Sequence, residues 1–503
     1  MSVLYQKIFK IYKRSYWLLN KYLEELKRDY FTHFALLLLV NGFMTVFQLG
    51  YLILRYRYLS DHTPVWYTMP WGDLQLDYKR NLFAIPIISF LFLALGVILM
   101  TLMKKIYLRF VPQITTVIIT FANIALTYSL VRIVFISSIP FPTLIGYNYF
   151  QLLLPFVTSF ALVFMLAPRM IKMAEERGIV TDPSVHAHPG MLLTKPTARG
   201  GGLIFTIGFL IVGLIFAPLT KPILGIYLIV LLLALLGLAD DLQNTKARFK
   251  FVESPLIRLV LLFLISSLVL LFEIKIRFVG IPFGGIYSFN GYTLLTAFVS
   301  VFWVVTILNM LSWANGTDGA YAGIVGIACI FVALLALRFI PLPLEQIAYA
   351  KLAVIAAGAS FGLIRYTWRP SRVLWGFSAM SAGAVLATLP ILINAKVAAS
   401  IMIILIPFID ALITGGRRIL QGKNPLRGDR SHLHHLLIER GWSIQRIAVF
   451  YWGTTALFGL IGVLSPEKFT VITAVILSVI VAGVIILLNV QSSRKKQPLP
   501  PLE

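Results

Sequence analysis

The stretch 226-IYLIVLLLALLGL-238, which runs into the acidic pair Asp240 and Asp241, decides the fold class. A membrane-spanning helix needs about 20 mostly apolar residues. The apolar residues here do not alternate with polar ones, as they would in the strands of a membrane barrel. The stretch therefore predicts a helix that crosses a bilayer and ends in two carboxylates.

Similar apolar stretches recur along the chain. Hydrophobic residues make up 59% of the 503 residues and charged residues 13%, a composition far from that of soluble proteins. We therefore predict an all-α polytopic membrane protein with about fourteen transmembrane helices. The predicted helices lie at residues 34–55, 82–103, 114–138, 150–171, 200–219, 222–239, 256–274, 291–312, 320–338, 346–366, 378–395, 397–414, 445–464 and 469–489.

The basic residues indicate how the chain is threaded through the membrane. The formal net charge is +24, and cytoplasmic loops of membrane proteins carry an excess of Lys and Arg. With the N-terminus inside, 32 of the 44 Lys and Arg residues fall in inner segments. We therefore expect a cytoplasmic N-terminus, cytoplasmic loops and contact with membrane lipid. Binding to nucleic acid is not expected, because the basic residues are spread along a membrane face.

The predicted organisation has four parts. Residues 1–33 form a basic amphipathic cytoplasmic segment, and residues 34–149 form an extra N-terminal membrane region of three helices. Residues 150–489 form a bundle with its polar residues concentrated at inner loops, and residues 490–503 form a disordered basic tail. The N-terminal helices could brace the bundle or bind a partner.

Acidic residues at membrane depth are costly and need an explanation. Asp240 and Asp241 could be a solvated helix end, or a general base and a divalent-metal ligand. Further on, Asn309, Asn315 and Asp318 lie in the stretch 309-NMLSWANGTDGAYAG at spacings that place them along one face of a helix end. This stretch could cap a helix, but polar groups at this spacing are expensive beside a bilayer.

Two further inner loops are rich in basic residues. Lys195, Thr197 and Arg199 precede three glycines that open a helix, a combination that suits a phosphate but is also expected at an inner membrane edge. The second loop, 417-RRILQGKNPLRGDRSHLHHLLIERGWS, contains Arg430 and a His-x-His-His group. Zinc is disfavoured there, because cysteine or carboxylate ligands at suitable spacing are missing. A diphosphate or a lipid phosphate fits better than a simple anchor on anionic lipid, which leaves the histidines unexplained.

In this order the blocks resemble those of the polyprenyl-phosphate N-acetylhexosamine-1-phosphate transferases, a glycosyltransferase family 4 type that includes the MurNAc-pentapeptide translocases. The resemblance covers about residues 150–465, so that the last eleven predicted helices resemble the transferase bundle. The matching blocks lie at 195–201, 240–241, 309–319, 407–410 and 417–435.

The resemblance implies an enzyme that transfers an N-acetylhexosamine-1-phosphate, or a related sugar-1-phosphate, from a UDP-sugar to polyprenyl (undecaprenyl) phosphate. UMP would leave, and the product would start cell-envelope glycan synthesis. Mg²⁺ or Mn²⁺ as cofactor, a homodimer and a bacterial inner membrane are also implied. By carry-over, Asp240, Asp241 and Asp318 would be catalytic, with Asp241 and Asp318 at the metal. The substrate-binding residues would be Lys195, Thr197, Arg199, Asn309, Asn315, Arg430, His432, His434 and His435.

One departure from the family pattern concerns the metal. Where the family carries an Asp that binds Mg²⁺, the best alignment places Phe377, which cannot ligate a hard cation. Three interpretations follow: an active transferase with a rearranged metal site, a catalytically degenerate relative that binds lipid phosphate or nucleotide-sugar and acts through partners, or a transporter or other non-enzyme. A transporter predicts ionisable residues at mid-membrane.

Overall fold

The computed structural model describes most of the chain as helices. The described residues are 37–65, 75–102, 110–138, 151–183, 195–243, 254–281, 285–289, 291–338, 343–393, 397–422, 432–466 and 468–496. The predicted segment 1–33 lies outside them. The chain divides into two compact units, Met1–Leu154 and Pro155–Glu503.

The first unit contains three apolar helices and a short hairpin. The helices are α1 (Leu37–Tyr58), α2 (Ala84–Leu102) and α3 (Phe110–Ser137). Strand β1 (His62–Thr63) pairs antiparallel with β2 (Asp77–Tyr78) between α1 and α2.

Amide and hydroxyl side chains join α1 to α3. Asn123 donates from Nδ2 to Oδ1 of Asn41 (2.7 Å), and Asn41 donates to Oγ1 of Thr120 (2.8 Å). Two helical turns further along α1, Gln48 donates from Nε2 to Oγ1 of Thr127 (2.7 Å). In lipid there is little hydrophobic drive between helices, so such hydrogen bonds help to hold the pair together.

The second unit is a larger helical bundle. Its helices are α4 (Leu153–Glu176), α5 (Gly201–Phe216), α6 (Lys221–Gln243), α7 (Pro255–Leu271), α8 (Thr293–Ala314), α9 (Ala320–Ala336), α10 (Leu344–Thr367), α11 (Met380–Leu392), α12 (Val397–Ile403), α13 (Leu405–Leu420), α14 (Leu433–Ile438), α15 (Ile444–Leu464) and α16 (Thr470–Lys496). Helices α9 and α10 are rich in buried alanine, which allows close packing of helix backbones.

The prediction of an all-α polytopic membrane protein is confirmed. Each of the fourteen predicted stretches coincides with helical structure. Within the described residues, nine helices are long and apolar enough to cross a membrane, and further apolar helices are shorter. The number of spans therefore stays a prediction.

Two predicted boundaries differ from the structure. The stretch 397–414 is broken at Ile404 into α12 and α13, because Pro407 cannot donate to the carbonyl four residues earlier and its ring crowds it. The tail predicted as disordered from residue 490 is helical as far as Lys496. There α16 is held by Ser492, whose hydroxyl donates to the carboxylate of Glu439.

A three-stranded sheet lies beside the predicted phosphate-binding loop, and the sequence did not predict it. Strand β4 (Thr197–Arg199) pairs antiparallel with β3 (Val180–Thr181) and parallel with β7 (Val373–Leu374). The remaining hairpin joins β5 (Phe278–Gly280) to β6 (Ile286–Ser288). The β4–β7 register places Arg199 opposite Leu374, and this brings the loop at 195–202 to the segment that begins at Trp375.

Candidate active site

The carboxylate of Asp241 is the buried centre of the site. Arg199 donates from Nη1 to Oδ1 (3.0 Å), and the backbone N–H of Phe377 donates to the same oxygen (3.1 Å). The hydroxyl of Ser378 lies 3.4 Å from Oδ2. Arg199 also donates from Nε to the hydroxyl of Thr181. The carboxylate is thus compensated at the end of α6, as a buried charge must be.

Asp240 forms a second ion pair beside the first. Its Oδ1 accepts from Nη1 of Arg258 at 3.0 Å. The guanidinium of Arg258 lies 5.5 Å from the ring centroid of Phe377, within the range of a cation–π contact. The two adjacent carboxylates, which would otherwise repel each other, therefore each face an arginine.

Glycines allow the backbone of residues 376–378 to reach these carboxylates. Gly376 has a positive φ of 70°, and a Cβ there would lie 2.1 Å from Oδ2 of Asp241. A Cβ on Gly237 of α6 would lie 2.2 Å from Cα of Ser378. Any larger residue at either position would push the segment away from α6.

A cavity of about 100 Å³ adjoins this segment, and its lining includes Arg258, Asn309, Trp313, Phe377 and Met380. Asn309 donates from Nδ2 to the carbonyl of Val305 within its own helix (2.8 Å). The cavity therefore combines one guanidinium with aromatic and amide groups.

The end of α8 connects the cavity to the histidine block. Asn315 donates from Nδ2 to the carbonyl of Gly376 (3.2 Å), which ties this predicted substrate-binding residue to the Asp241 centre. Trp313, which lines the cavity, lies 6.0 Å from the ring of His432 between ring centroids.

His432 and His434 sit on α14 and its N-terminal edge. His432 Nδ1 lies 3.0 Å from Oδ2 of Asp410, whose Oδ1 accepts the N–H of Leu433 (2.8 Å). The ring of His434 packs against Gly316, where a Cβ would lie 2.6 Å from Nε2. Burial, and then the neighbouring His435 and His432, lower the pKa of His434 well below its ordinary value of 6.5. His434 is therefore a neutral ring in contact with the turn between α8 and α9.

Asp318 lies in that turn and pairs with Arg369, whose Nη1 is 3.1 Å from its Oδ2. Among the described residues, no hydrogen bond joins Asp318 to the Asp241 centre. Thr197 is buried and donates from Oγ1 to the carbonyl of Lys195 (3.1 Å). The side chain of Lys195 is exposed, and Arg430 lies outside the described residues.

The structure thus gathers Asp240, Asp241, Arg199, Asn315 and, through the cavity, Asn309 around residues 375–378. The histidines form a neighbouring group that Trp313 links to it. Their substrate-binding and catalytic roles stay predictions.

Sequence reasoning missed the arginines that hold the carboxylates. Arg258 and Arg369 lie 18 and 51 residues from their partners along the chain. Charge balance was the available signal, because each acid at membrane depth requires a nearby cation. The pairing itself could not be predicted, since several arginines of the predicted inner loops were equally suitable.

Among the residues that the structure describes, the donor set does not fit a resident Mg²⁺ ion. Mg²⁺ needs oxygen ligands in near-octahedral geometry. In the described part of the chain, no three Asp, Glu, His or Cys side chains converge as a metal site would require. The predicted ligands Asp241 and Asp318 are instead each bonded to an arginine. The cofactor that the resemblance implies, Mg²⁺ or Mn²⁺, stays a prediction.

Comparison with known proteins supports the family suggested by the motifs. Residues 223–394 match glycosyl transferase family 4. The chain is 26% identical to a Bacillus subtilis protein named "Probable undecaprenyl-phosphate N-acetylglucosaminyl 1-phosphate transferase", over 58% of this chain and 79% of the relative. It is 24% identical to a decaprenyl-phosphate N-acetylglucosaminephosphotransferase of Mycolicibacterium smegmatis (53% and 71%). It is 25% identical to a phospho-N-acetylmuramoyl-pentapeptide-transferase of Staphylococcus aureus (62% and 96%).

Proposed function

Because its residues 223–394 belong to glycosyl transferase family 4, we propose that this chain transfers a sugar-1-phosphate from a UDP-sugar to a polyprenyl phosphate. The donor we propose is a UDP-N-acetylhexosamine, and the product would begin the synthesis of a cell-envelope glycan. The named relatives act on N-acetylglucosamine-1-phosphate or phospho-N-acetylmuramoyl-pentapeptide, and they support this substrate class.

One observation carries the proposal: blocks far apart in the sequence meet at residues 375–378. Arg199, Asp241 and Asn315 each contact this segment or a carboxylate bonded to it. A helix end that served only as a solvated terminus would not recruit a strand, a glycine turn and a second helix end around one carboxylate. Phosphoryl transfer depends mainly on positioning and charge neutralisation, which such an assembly can provide.

The proposed reaction is a displacement at phosphorus. An oxygen of the lipid phosphate forms a bond to the phosphorus that carries the sugar, and the bond from that phosphorus to the bridging oxygen breaks. UMP leaves with the electron pair. In this chain, Asp240 and Asp241 would orient Arg258 and Arg199, and those guanidinium groups would bind and neutralise the diphosphate.

The test uses the full chain purified in detergent with undecaprenyl phosphate and a panel of UDP-N-acetylhexosamines. UMP release is followed in parallel samples with Mg²⁺ and with a chelator. We expect Asp240→Asn to abolish release, because it removes the charge that holds Arg258. Glu273→Gln is the matched control, since Glu273 forms an exposed ion pair with Lys221 at the opposite end of α6 (2.8 Å). No UMP from any donor under either condition would refute catalysis.

The degenerate relative is the second candidate, and the pairing of the carboxylates favours it. A site whose predicted catalytic acids are all bonded to arginines could bind a nucleotide-sugar or lipid phosphate without turning it over. Binding of UDP-N-acetylglucosamine without UMP release would support this candidate.

The protein is an integral membrane protein, and we propose a bacterial inner membrane with the site on the cytoplasmic side. The three relatives named above are bacterial, and the basic excess of the predicted inner loops agrees with this orientation. Protease accessibility in inverted and right-side-out vesicles would test the orientation, and cross-linking in membranes would test the proposed homodimer.

A further inference from the structure

The four aspartates that the structure describes at this site each lie beside a basic side chain. Asp240 and Asp241 pair with arginines at 3.0 Å, and Asp318 does so at 3.1 Å. Asp410 lies 3.0 Å from the ring of His432. The pairing is therefore a general property of the site and does not depend on one contact.

A divalent ion at Asp241 would have to bind a carboxylate that is 1% exposed and already paired with Arg199. Oδ1 already accepts hydrogen bonds from Arg199 and from the Phe377 N–H. Oδ2 lies so close to Gly376 that a Cβ there would be 2.1 Å away. An ion that displaced Arg199 would leave a guanidinium beside a dication, and like charges at that distance repel strongly.

Arg258 places a positive charge at the cavity beside Asp240. It lines the cavity together with Phe377 and Asn309, and its side chain is 28% exposed. Asp240 is bonded to one of its nitrogens, and the Phe377 ring lies beside its guanidinium. A guanidinium has five N–H donors in a fixed fork, so it can pair with a carboxylate and still donate to a phosphate.

We infer that Arg258 and Arg199 supply the positive charge that a divalent metal would otherwise supply, so that this site binds the diphosphate of a nucleotide-sugar without metal. Phe377 belongs to the same arrangement: it positions Arg258 through its ring and Asp241 through its backbone N–H. The inference rests on the proposed function only in taking a nucleotide diphosphate as the ligand, and it holds equally for an active enzyme and for a degenerate relative.

The first experiment measures equilibrium binding of UDP-N-acetylglucosamine to the purified full chain, once with Mg²⁺ and once with EDTA. We expect Kd values that agree within about twofold, and binding about 10- to 100-fold weaker in Arg258→Met, because one charge-assisted contact is lost. Arg338→Met is the matched control. Arg338 bonds to the carbonyl of Ser465 (3.0 Å) and follows the far end of α9, so its loss should leave binding unchanged.

The second experiment probes the metal directly and does not depend on any substrate. Mn²⁺ alone is titrated into the wild type and into the double variant Phe377→Asp/Arg258→Met, and bound ion is detected by electron paramagnetic resonance. We expect no saturable site in the wild type and a new one in the double variant, where a third carboxylate joins Asp240 and Asp241 and the guanidinium bonded to Asp240 is gone. A thermal melt of each variant checks that it is folded.

The outcomes distinguish metal-free binding from the proposed function. Binding that disappears in EDTA, or a saturable Mn²⁺ site in the wild type, would overturn this inference and leave the proposed function standing. Wild-type protein that binds no UDP-sugar of the panel under either condition would refute the proposed function and the inference with it. Wild-type affinity in folded Arg258→Met would reject the role of Arg258.

Discussion

Removing Arg199 should destabilise the second unit through the carboxylate that it leaves behind. In Arg199→Met the side chain keeps much of its apolar volume, but Asp241 loses the cation that lies 3.0 Å from Oδ1. The side chain of Asp241 is 1% exposed, so water cannot replace the lost partner. The Phe377 N–H remains as a neutral donor, while the Ser378 hydroxyl donates to the carbonyl of Trp375 (2.9 Å).

The expected cost can be worked out from this geometry. Breaking a buried ion pair by removing one partner typically costs about 3–5 kcal/mol, because an uncompensated charge stays buried. The remaining backbone donor places this case at the lower end of the range, so we expect about 3 kcal/mol. For a unit of this size, that corresponds to a fall in Tm of roughly 5 °C. Adding Asp241→Asn to Arg199→Met removes the uncompensated charge, so the double variant should recover about half of the stability that Arg199→Met loses.

The assay is thermal unfolding of the full chain in detergent for the wild type, both single variants and the double variant, with Arg338→Met as the control. The coupling between Arg199 and Asp241 is the difference between the double variant and the sum of the singles. If Arg199→Met has the same Tm as the control, or if the effects of the two single variants on Tm add in the double variant, the ion pair does not stabilise the fold.

Three further predictions concern other parts of the molecule. Gly376→Ala should lower Tm and weaken UDP-sugar binding at least tenfold, because φ is 70° and the new Cβ would collide with Oδ2 of Asp241. A thermal melt and a binding isotherm would check this, and unchanged binding would contradict it. Because burial lowers the pKa of His434, the unfolded chain binds the extra proton first, so stability should be full above about pH 6.5 and should fall as the pH drops below that value. Melts of the wild type and His434→Gln between pH 7.5 and about pH 5 would reveal a smaller pH dependence in the variant, and equal slopes would reject the assignment. In the first unit, Asn123→Leu should lower the free energy of unfolding by about 0.6–1.7 kcal/mol, the range for hydrogen bonds between membrane helices, and leave UDP-sugar binding unchanged. A larger loss of binding than of stability would count against a purely structural role.

The helices were predictable because hydropathy is a local signal. Each predicted apolar stretch contains helical structure, and the exceptions at Ile404 and beyond residue 490 concern where helices break or end. A proline that interrupts an apolar run and a polar helix end held by Glu439 depend on neighbours that a window of sequence does not contain. The local pattern therefore predicts the elements better than their limits.

The site was predictable as a set of residues but not as an arrangement. Asp241, Arg199 and Asn315 stand out because polar groups are costly beside a bilayer. That they meet at residues 375–378 depends on the parallel pairing of β4 with β7, two strands of three and two residues that leave no periodic signal. The role of Phe377 was hidden for a different reason, since its backbone N–H makes the contact with Asp241 and any residue except proline has that group.

The basic excess of the loops predicted to be cytoplasmic has two expected physical causes that composition cannot separate. One is orientation of the chain in the membrane, for which Lys and Arg act equally well. The paired positions Arg199, Arg258 and Arg369 are all arginine, and a lysine cannot offer the same fork to a carboxylate and a phosphate at once. Exchange for lysine distinguishes the two causes, because the charge that sets orientation is kept and the geometry is lost. Arg258→Lys should leave the topology unchanged and weaken nucleotide-sugar binding nearly as much as Arg258→Met does, whereas full binding in the lysine variant would mean that charge alone is needed there.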